Sequence, residues 1–257
     1  MLLAIDAGNT NVVFGIHNGE KWIHEWRMNT LPVKRASEYE MFLRLNFLEN
    51  NLHFDDISRV VISSVVPQLN SVLEEFAAAS IKDEPVFLGP KWYDKLPVRT
   101  QNPYEIGTDL LANAVAAKEL HGGDTIVVDF GTALTFTVVD KDGLILGVNI
   151  APGLKTAIKA LVGQTAQLPE VPLELPESVL GKNTIHAIQN GVLWGYISMV
   201  EGMLDRIQQE LGREMKVVAT GGLSSILTPL HKRFDKVDRH LTLDGLRIIH
   251  QLMKDGK

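Results

Sequence analysis

The stretch Asp6-Ala7-Gly8-Asn9-Thr10-Asn11 decides how this chain is read. It follows the apolar run Leu2-Leu3-Ala4-Ile5 and precedes Val12-Val13-Phe14-Gly15-Ile16, two segments with the length and side-chain content of buried strands. The polar residues therefore occupy a tight turn between strands. Gly8 is expected to adopt backbone angles closed to other residues, so that successive amide N–H groups, with the side chains of Asn9, Thr10 and Asn11, face a phosphate. Asp6, at the strand's end, is placed to hold a hydrated Mg²⁺ against the same phosphates. Taken alone, the segment reads more simply as a hairpin turn with a solvated Asp, because Asp, Gly and Asn are ordinary turn residues.

A second copy tips the balance. Ile126-Val127-Val128-Asp129-Phe130-Gly131-Thr132-Ala133 repeats the pattern, with Leu134 to Val139 as the second strand, and Asp129 and Gly131 both lie 123 residues after Asp6 and Gly8. Asn18-Gly19 before Lys21 to Trp26, and Asp142-Gly143 before Leu144 to Val148, read as two-residue hairpin turns into a third strand. Further on, Arg59 to Ile62 runs into Ser63-Ser64 and a helix-like segment from Gln68 to Ala79. Its counterpart, Lys216 to Ala219, runs into Thr220-Gly221-Gly222 and a helix-like segment from Leu223. Two similar halves, each opening with a three-stranded meander, would set their Asp turns across a cleft suited to a nucleotide.

Composition narrows the classes. At 257 residues, 45% hydrophobic and 22% charged, the chain is globular and long enough for two domains. The absence of cysteine removes thiolate nucleophiles and zinc–thiolate clusters and is compatible with a reducing compartment. A net charge of −6 argues against a general nucleic-acid binder. No apolar run approaches the roughly 20 residues of a membrane helix, and the N-terminal one ends at Asp6, so no membrane partner and a cytoplasmic location are expected. The histidines show no metal-ligand spacing, and neither a nucleophile elbow nor a dinucleotide fingerprint is present.

Between the repeats, Ser37 is expected to cap a helix to about Asn50, and the proline-containing segment from Gly89 to Pro103 reads as irregular. Gly107-Thr108-Asp109 opens a small-residue helix over 108–120 that links the halves. Asp109 in its first turn suits the helix dipole, worth roughly 0.3–1 kcal/mol, but the helix start also belongs near the cleft. Gly181-Lys182-Asn183-Thr184 opens a long helix to about Leu211. It lacks the first Gly and the final Ser or Thr of a P-loop. Thr242 is expected to cap a last helix. The expected division is 1–105 and 106–257, the linking helix included in the latter.

Taken together, Asp6-x-Gly-Asn-Thr-Asn, Asn102-Pro103 with Gly107-x-Asp109, Asp129-x-Gly131-Thr132-Ala133, Pro152-Gly153, Gly181-Lys182-Asn183-Thr184, Thr220-Gly221-Gly222 and Leu241 to Leu246 resemble, in order, the motifs of type III pantothenate kinases. The resemblance implies an α/β fold of duplicated ribonuclease H-like, actin-like ATPase domains, each a mixed sheet flanked by helices. It implies phosphorylation of the primary hydroxyl of pantothenate by ATP with Mg²⁺, opening coenzyme A synthesis, in a homodimer activated by K⁺ or NH₄⁺. By the same resemblance Asp6 would organise Mg²⁺, and Gly8, Asn9, Thr10 and Asn11 would cradle phosphates. Asp109, flanked by Gly107 and Thr108 at the substrate, would be the general base. Asp129 would ligate the monovalent cation, Thr132, Gly221 and Gly222 would approach the nucleotide, and Thr184 would reach the neighbouring subunit's substrate.

Two positions depart from that family's usual pattern, Leu110 in place of an Arg and Thr100 in place of a Tyr. Arg99 is the cation nearest in sequence that would meet the pantothenate carboxylate instead. Two other readings stand beside the kinase of pantothenate: a kinase of a different small hydroxy compound, and a non-catalytic nucleotide-binding module.

Overall fold

The structure, a computed structural model, describes every residue except 83, 223, 225, 256 and 257. Two compact units emerge, Met1–Ala116 with Leu241–Lys257, and Ala117–His240.

The first unit is built on strands β1 (Leu2–Ala7), β2 (Asn11–His17), β3 (Trp22–Asn29), β4 (Arg59–Ser64) and β5 (Val86–Phe87) in the order β3-β2-β1-β4-β5. β1 pairs antiparallel with β2 and parallel with β4. Alternate residues of these strands, including Leu3, Ile5, Phe14, Ile16, Val60 and Ile62, bury one face against helices α1 (Ala36–Glu49) and α2 (Pro67–Ser80). Arg35, not Ser37, precedes α1: its backbone N–H donates to Glu38 Oε2 at 2.8 Å, and Ser37 lies within the helix.

The other face meets α3 (Thr108–Ala116) and the chain's last helix. Every residue of α3 except Asp109 is buried, as expected of a helix apolar on all sides. A π-helical turn, Ala117–His121, ends it.

The second unit repeats the plan. Strands β6 (Thr125–Phe130), β7 (Ala133–Val139), β8 (Ile145–Pro152), β9 (Lys216–Thr220) and β10 (Lys236–Val237) form a sheet of order β10-β9-β6-β7-β8, the first sheet's order strand for strand. β6 again pairs antiparallel with its hairpin partner and parallel with β9. Helices α4 (Leu154–Gly163), α5 (Thr184–Gln189) and α6 (Gly195–Leu211) follow β8, with a π-helical turn, Asn190–Trp194, inside what the sequence predicts as one helix. Leu223, the expected start of a helix after β9, lies outside the described residues. The next helical element is the 3-10 segment Thr228–Arg233.

The last helix, α7 (Leu241–Asp255), belongs with the first sheet, and so does α3. The expected division at 105/106 is therefore replaced by one in which the C-terminal segment returns to the N-terminal unit. The physical reason is close backbone packing: a Cβ on Gly245 would collide with the carbonyl of Ala112 in α3. Thr242 is not a cap. It lies inside α7, and its hydroxyl donates to Asn113 Oδ1 of α3 at 2.8 Å.

The hairpin turns into β3 and β8 are longer than two residues. Asn18 Oδ1 accepts from the backbone of Glu20 and Lys21 at 3.0 and 2.9 Å, and Asp140 Oδ1 accepts from Asp142 and Leu144 at 2.9 and 2.8 Å. A carboxamide or carboxylate side chain organises each loop where a tight two-residue turn was expected.

Candidate active site

In the first unit the polar turn sits at the end of β1. Gly8 N–H donates to Asn11 carbonyl at 3.0 Å, and Asn9 and Thr10 are exposed. Gly8 is not among the residues with positive φ. Its lack of a side chain serves space instead, since a Cβ there would lie 3.3 Å from the Asn11 carbonyl oxygen. Thr30, which sequence reasoning missed, fixes the loop from below: its hydroxyl donates to Gly8 carbonyl at 2.6 Å and its N–H to Thr10 carbonyl at 2.9 Å. Nothing in the sequence marks Thr30 except that it follows the third strand of the meander.

Asp6 is half-buried and lies opposite Ser63 of β4 in the parallel ladder. The Ser63 hydroxyl lies 2.9 Å from that of Thr108, the first residue of α3. Through this pair the end of β4, beside Asp6 of β1, holds the start of the helix that carries Asp109. The structure thus brings together Asp6, the Gly8–Asn11 turn, Gly107, Thr108 and Asp109.

Gly107 leaves room for the Asp109 carboxylate, because a Cβ at that position would collide with Asp109 Oδ1. The same oxygen accepts from Leu110 N–H at 2.8 Å. Burial pushes the Asp109 carboxyl above the ordinary carboxylate range, against the opposing pull of backbone N–H groups. A carboxylate whose pKa moves towards neutrality is a better proton acceptor at working pH. Leu110 is buried within α3. Arg99 follows buried Val98 and has an exposed side chain.

In the second unit Asp129 is flanked in the sheet by Thr135 of β7 and Thr220 of β9. The turn after it is one residue shorter than its counterpart, with Gly131 N–H bonded to Ala133 carbonyl at 3.1 Å. Gly221, with φ +88°, lies so close that a Cβ there would come within 2.7 Å of Asp129 Oδ1. Gly153 abuts the same turn, donating its N–H to Thr132 carbonyl at 2.9 Å, and the Thr156 hydroxyl adds a second bond to that carbonyl at 2.8 Å. Thr132 and Gly222 are exposed beside these contacts. The glycines of three motifs thus converge on one strand end.

Thr184 is exposed at the start of α5, whose N-terminus is capped by Asn183 Oδ1 accepting from His186 N–H at 2.9 Å.

Among the described residues no group of three or more acidic or histidine side chains forms a ready-made metal cage. Near Asp129, the hydroxyl of Thr135 is buried without a hydrogen-bond partner, directly opposite on the neighbouring strand. A carboxylate beside an unsatisfied hydroxyl is an oxygen donor set of the kind hard cations take.

The sequence model of the type III pantothenate kinase family matches residues 2–206. The chain belongs to the type III pantothenate kinase family. Its similarity to individual type III pantothenate kinases spans whole chains. It is 44% identical to that of Moorella thermoacetica, over 98% of this chain and 99% of the relative, and 42% identical to that of Myxococcus xanthus, over 97% and 98%. Among solved structures, MreB 5 of Spiroplasma citri bound to AMPPNP superposes with a TM-score of 0.51 at 11% identity, over 99% of this chain and 97% of that one. The fold is that of the actin-like ATPases, as the resemblance implies, with the two similar halves that the repeated Asp turns predict. No helix among the described residues is long and apolar enough to cross a membrane.

Proposed function

We propose that this type III pantothenate kinase transfers the γ-phosphoryl group of ATP to the terminal primary hydroxyl of pantothenate, yielding 4'-phosphopantothenate and ADP, the opening step of coenzyme A synthesis, in the cytoplasm. The observation that carries the chemistry is Asp109: a half-buried carboxylate with a raised pKa, given room by Gly107 and tied through Thr108 to Ser63, the residue opposite Asp6 in the β1–β4 ladder. Asp109 accepts the hydroxyl proton as the hydroxyl oxygen attacks the γ-phosphorus and the bond to ADP breaks. Catalysis then rests mainly on positioning and charge neutralisation, as phosphoryl transfer requires.

Asp6 would hold Mg²⁺, which supplies charge neutralisation at the phosphates, and Gly8, Asn9, Thr10 and Asn11 would line them. Thr132, Gly221 and Gly222 would approach the nucleotide, and Asp129 with Thr135 would take K⁺ or NH₄⁺. Thr184 would act across a homodimer. Its segment leaves Val179, Leu180 and Ile185 exposed at 60%, 77% and 45%, the kind of apolar surface a partner copy covers. Arg99, exposed on the segment leading to Gly107, would meet the pantothenate carboxylate in place of the family's usual Arg at 110.

A coupled assay of ATP turnover with and without pantothenate tests the assignment. Pantothenate-dependent turnover that collapses in a folded Asp6→Asn variant supports it. Turnover only with another hydroxy compound would move the assignment to that substrate, and nucleotide binding without turnover would make the protein a non-catalytic module.

A further inference from the structure

At the opposite end of the first sheet from Asp6, the β2–β3 loop, the start of β4 and α7 enclose a cavity of about 270 Å³. Leu2 fixes the distance between the two places: it lies four residues before Asp6 on β1, or roughly 13 Å along the strand. In the ladder Leu2 faces His17 on one side and Arg59 on the other, so these two side chains flank it on the same face of the sheet, roughly 10 Å apart across two strand spacings. Arg247 and His250 line the cavity from α7, and Ser58 and Gln251 add neutral polar groups.

Among the described residues that line it none is acidic, in a chain whose net charge is −6. Asp244, which acts on His17 from α7, is already engaged. Its Oδ1 accepts from Trp22 Nε1 and from Arg247 Nε, both at 3.1 Å. That contact uses Arg247's Nε and steadies the guanidinium, whose terminal amino groups are separate donors.

His17 and His250 are 8% and 2% exposed, so both rings are set into the wall. A register shift in the β2–β3 pairing falls at Ile16/His17, a kind of irregularity that re-aims side chains near sites. His17 Nδ1 accepts from Gly19 N–H at 3.1 Å, which leaves the ring proton of the neutral form on Nε2. Burial, with Arg247 nearby, lowers the pKa of His17 and keeps that neutral donor form at neutral pH.

We propose that this cavity is an anion site separate from the Asp turns, taking the phosphoryl group of a small phosphorylated molecule or free phosphate, with Arg59 and Arg247 as charge partners and His17 as a directional donor. Two guanidinium groups suit phosphate because their planar forks match its oxygens in pairs.

The test uses the full chain with a saturating non-hydrolysable ATP analogue and Mg²⁺, so that phosphate sites at the Asp turns are filled. Inorganic phosphate and glycerol 3-phosphate are titrated separately by calorimetry at constant ionic strength. Saturable binding of either probe, weakened at least about tenfold in Arg59→Ala and in Arg247→Lys, supports the site. Tighter glycerol 3-phosphate binding assigns it to phosphorylated molecules, and tighter inorganic phosphate binding to the free ion. Arg59 is exposed at a strand start, so its variant keeps the fold and decides the matter alone if Arg247→Lys does not. No saturable binding, or equal binding in wild type and Arg59→Ala, overturns the proposal.

Discussion

The hydroxyls of Ser63 on β4 and Thr108 on α3 lie 2.9 Å apart, both buried, and they join the strand that pairs with Asp6 to the residue before Asp109. A phosphoryl-transfer enzyme depends on holding its metal-organising and proton-accepting groups in fixed relation, and misplacement by about 1 Å costs on the order of 10²-fold in rate. Thr108 also donates to Ser64 carbonyl at 3.3 Å. Ser63→Ala therefore leaves Thr108 one partner and should cost only about 1 kcal/mol of stability. Thr108→Val removes both bonds and leaves Ser63 buried without its partner. We expect Thr108→Val to lower kcat much more than Ser63→Ala, with the KM for ATP nearly constant in both. Equal kcat for wild type and Thr108→Val would show that the pair is structural only.

Asp109 separates two roles that the sequence leaves competing. If it served mainly as a helix-start carboxylate, Asp109→Asn would lower the melting temperature and leave turnover intact. As a proton acceptor, its loss should lower kcat by roughly 10²–10⁴-fold.

The raised pKa of Asp109 also fixes a sign. The folded state holds this proton more tightly than the unfolded chain, so the burial penalty is absent below the unfolded value, about 3.9 for Asp, and grows as pH rises through the folded value. Above that window Asp109→Asn should match or exceed the wild type in melting temperature. The acid limb of kcat should sit above the ordinary Asp value and disappear with the residual activity of the variant. A melting temperature that falls at pH 8 with kcat preserved would return Asp109 to a capping role.

Much of this arrangement was legible because it rests on local chemistry repeated twice. Alternating apolar runs interrupted by Asp-x-Gly turns announce strands and hairpins, and the 123-residue offset turns two weak signals into one duplicated fold. What the sequence hid were contacts between distant segments. Thr30 beneath the Gly8 turn, Ser63 against Thr108, Gly153 against Thr132 and α7 against α3 each join residues far apart in the chain, and none alters local periodicity. The same cause moved the division between units, since Gly245 reads as an ordinary helix glycine until its neighbour is known.

Arg99 carries the expectation about substrate affinity. Leu110 is buried in a helix apolar on all sides and offers no hydrogen bond, while charge-assisted bonds to a carboxylate are worth roughly 1.5–3 kcal/mol each. Arg99→Ala should raise the KM for pantothenate by about tenfold or more and leave that for ATP unchanged. Normal pantothenate saturation in the variant would exclude Arg99 from the pocket.

Gly245 offers the sharpest test of how the C-terminal helix is held. A Cβ there would meet backbone, the carbonyl of Ala112, and backbone cannot swing aside as a flexible side chain can. On an open helix surface Gly→Ala would stabilise by up to about 1 kcal/mol through helix propensity. Here overpacking should reverse the sign and cost about 1–3 kcal/mol or more, because α7 must lift from α3. Thr242→Val, which removes only the bond to Asn113, should cost less even though the Asn113 oxygen is buried. Since α3 carries Asp109 in its first turn, Gly245→Ala should also lower kcat, while a substitution on an exposed turn such as Glu20→Ala should change neither quantity. Chemical denaturation and steady-state kinetics on the three variants would check the order. A Gly245→Ala protein as stable as the wild type would mean that α7 does not depend on this close approach.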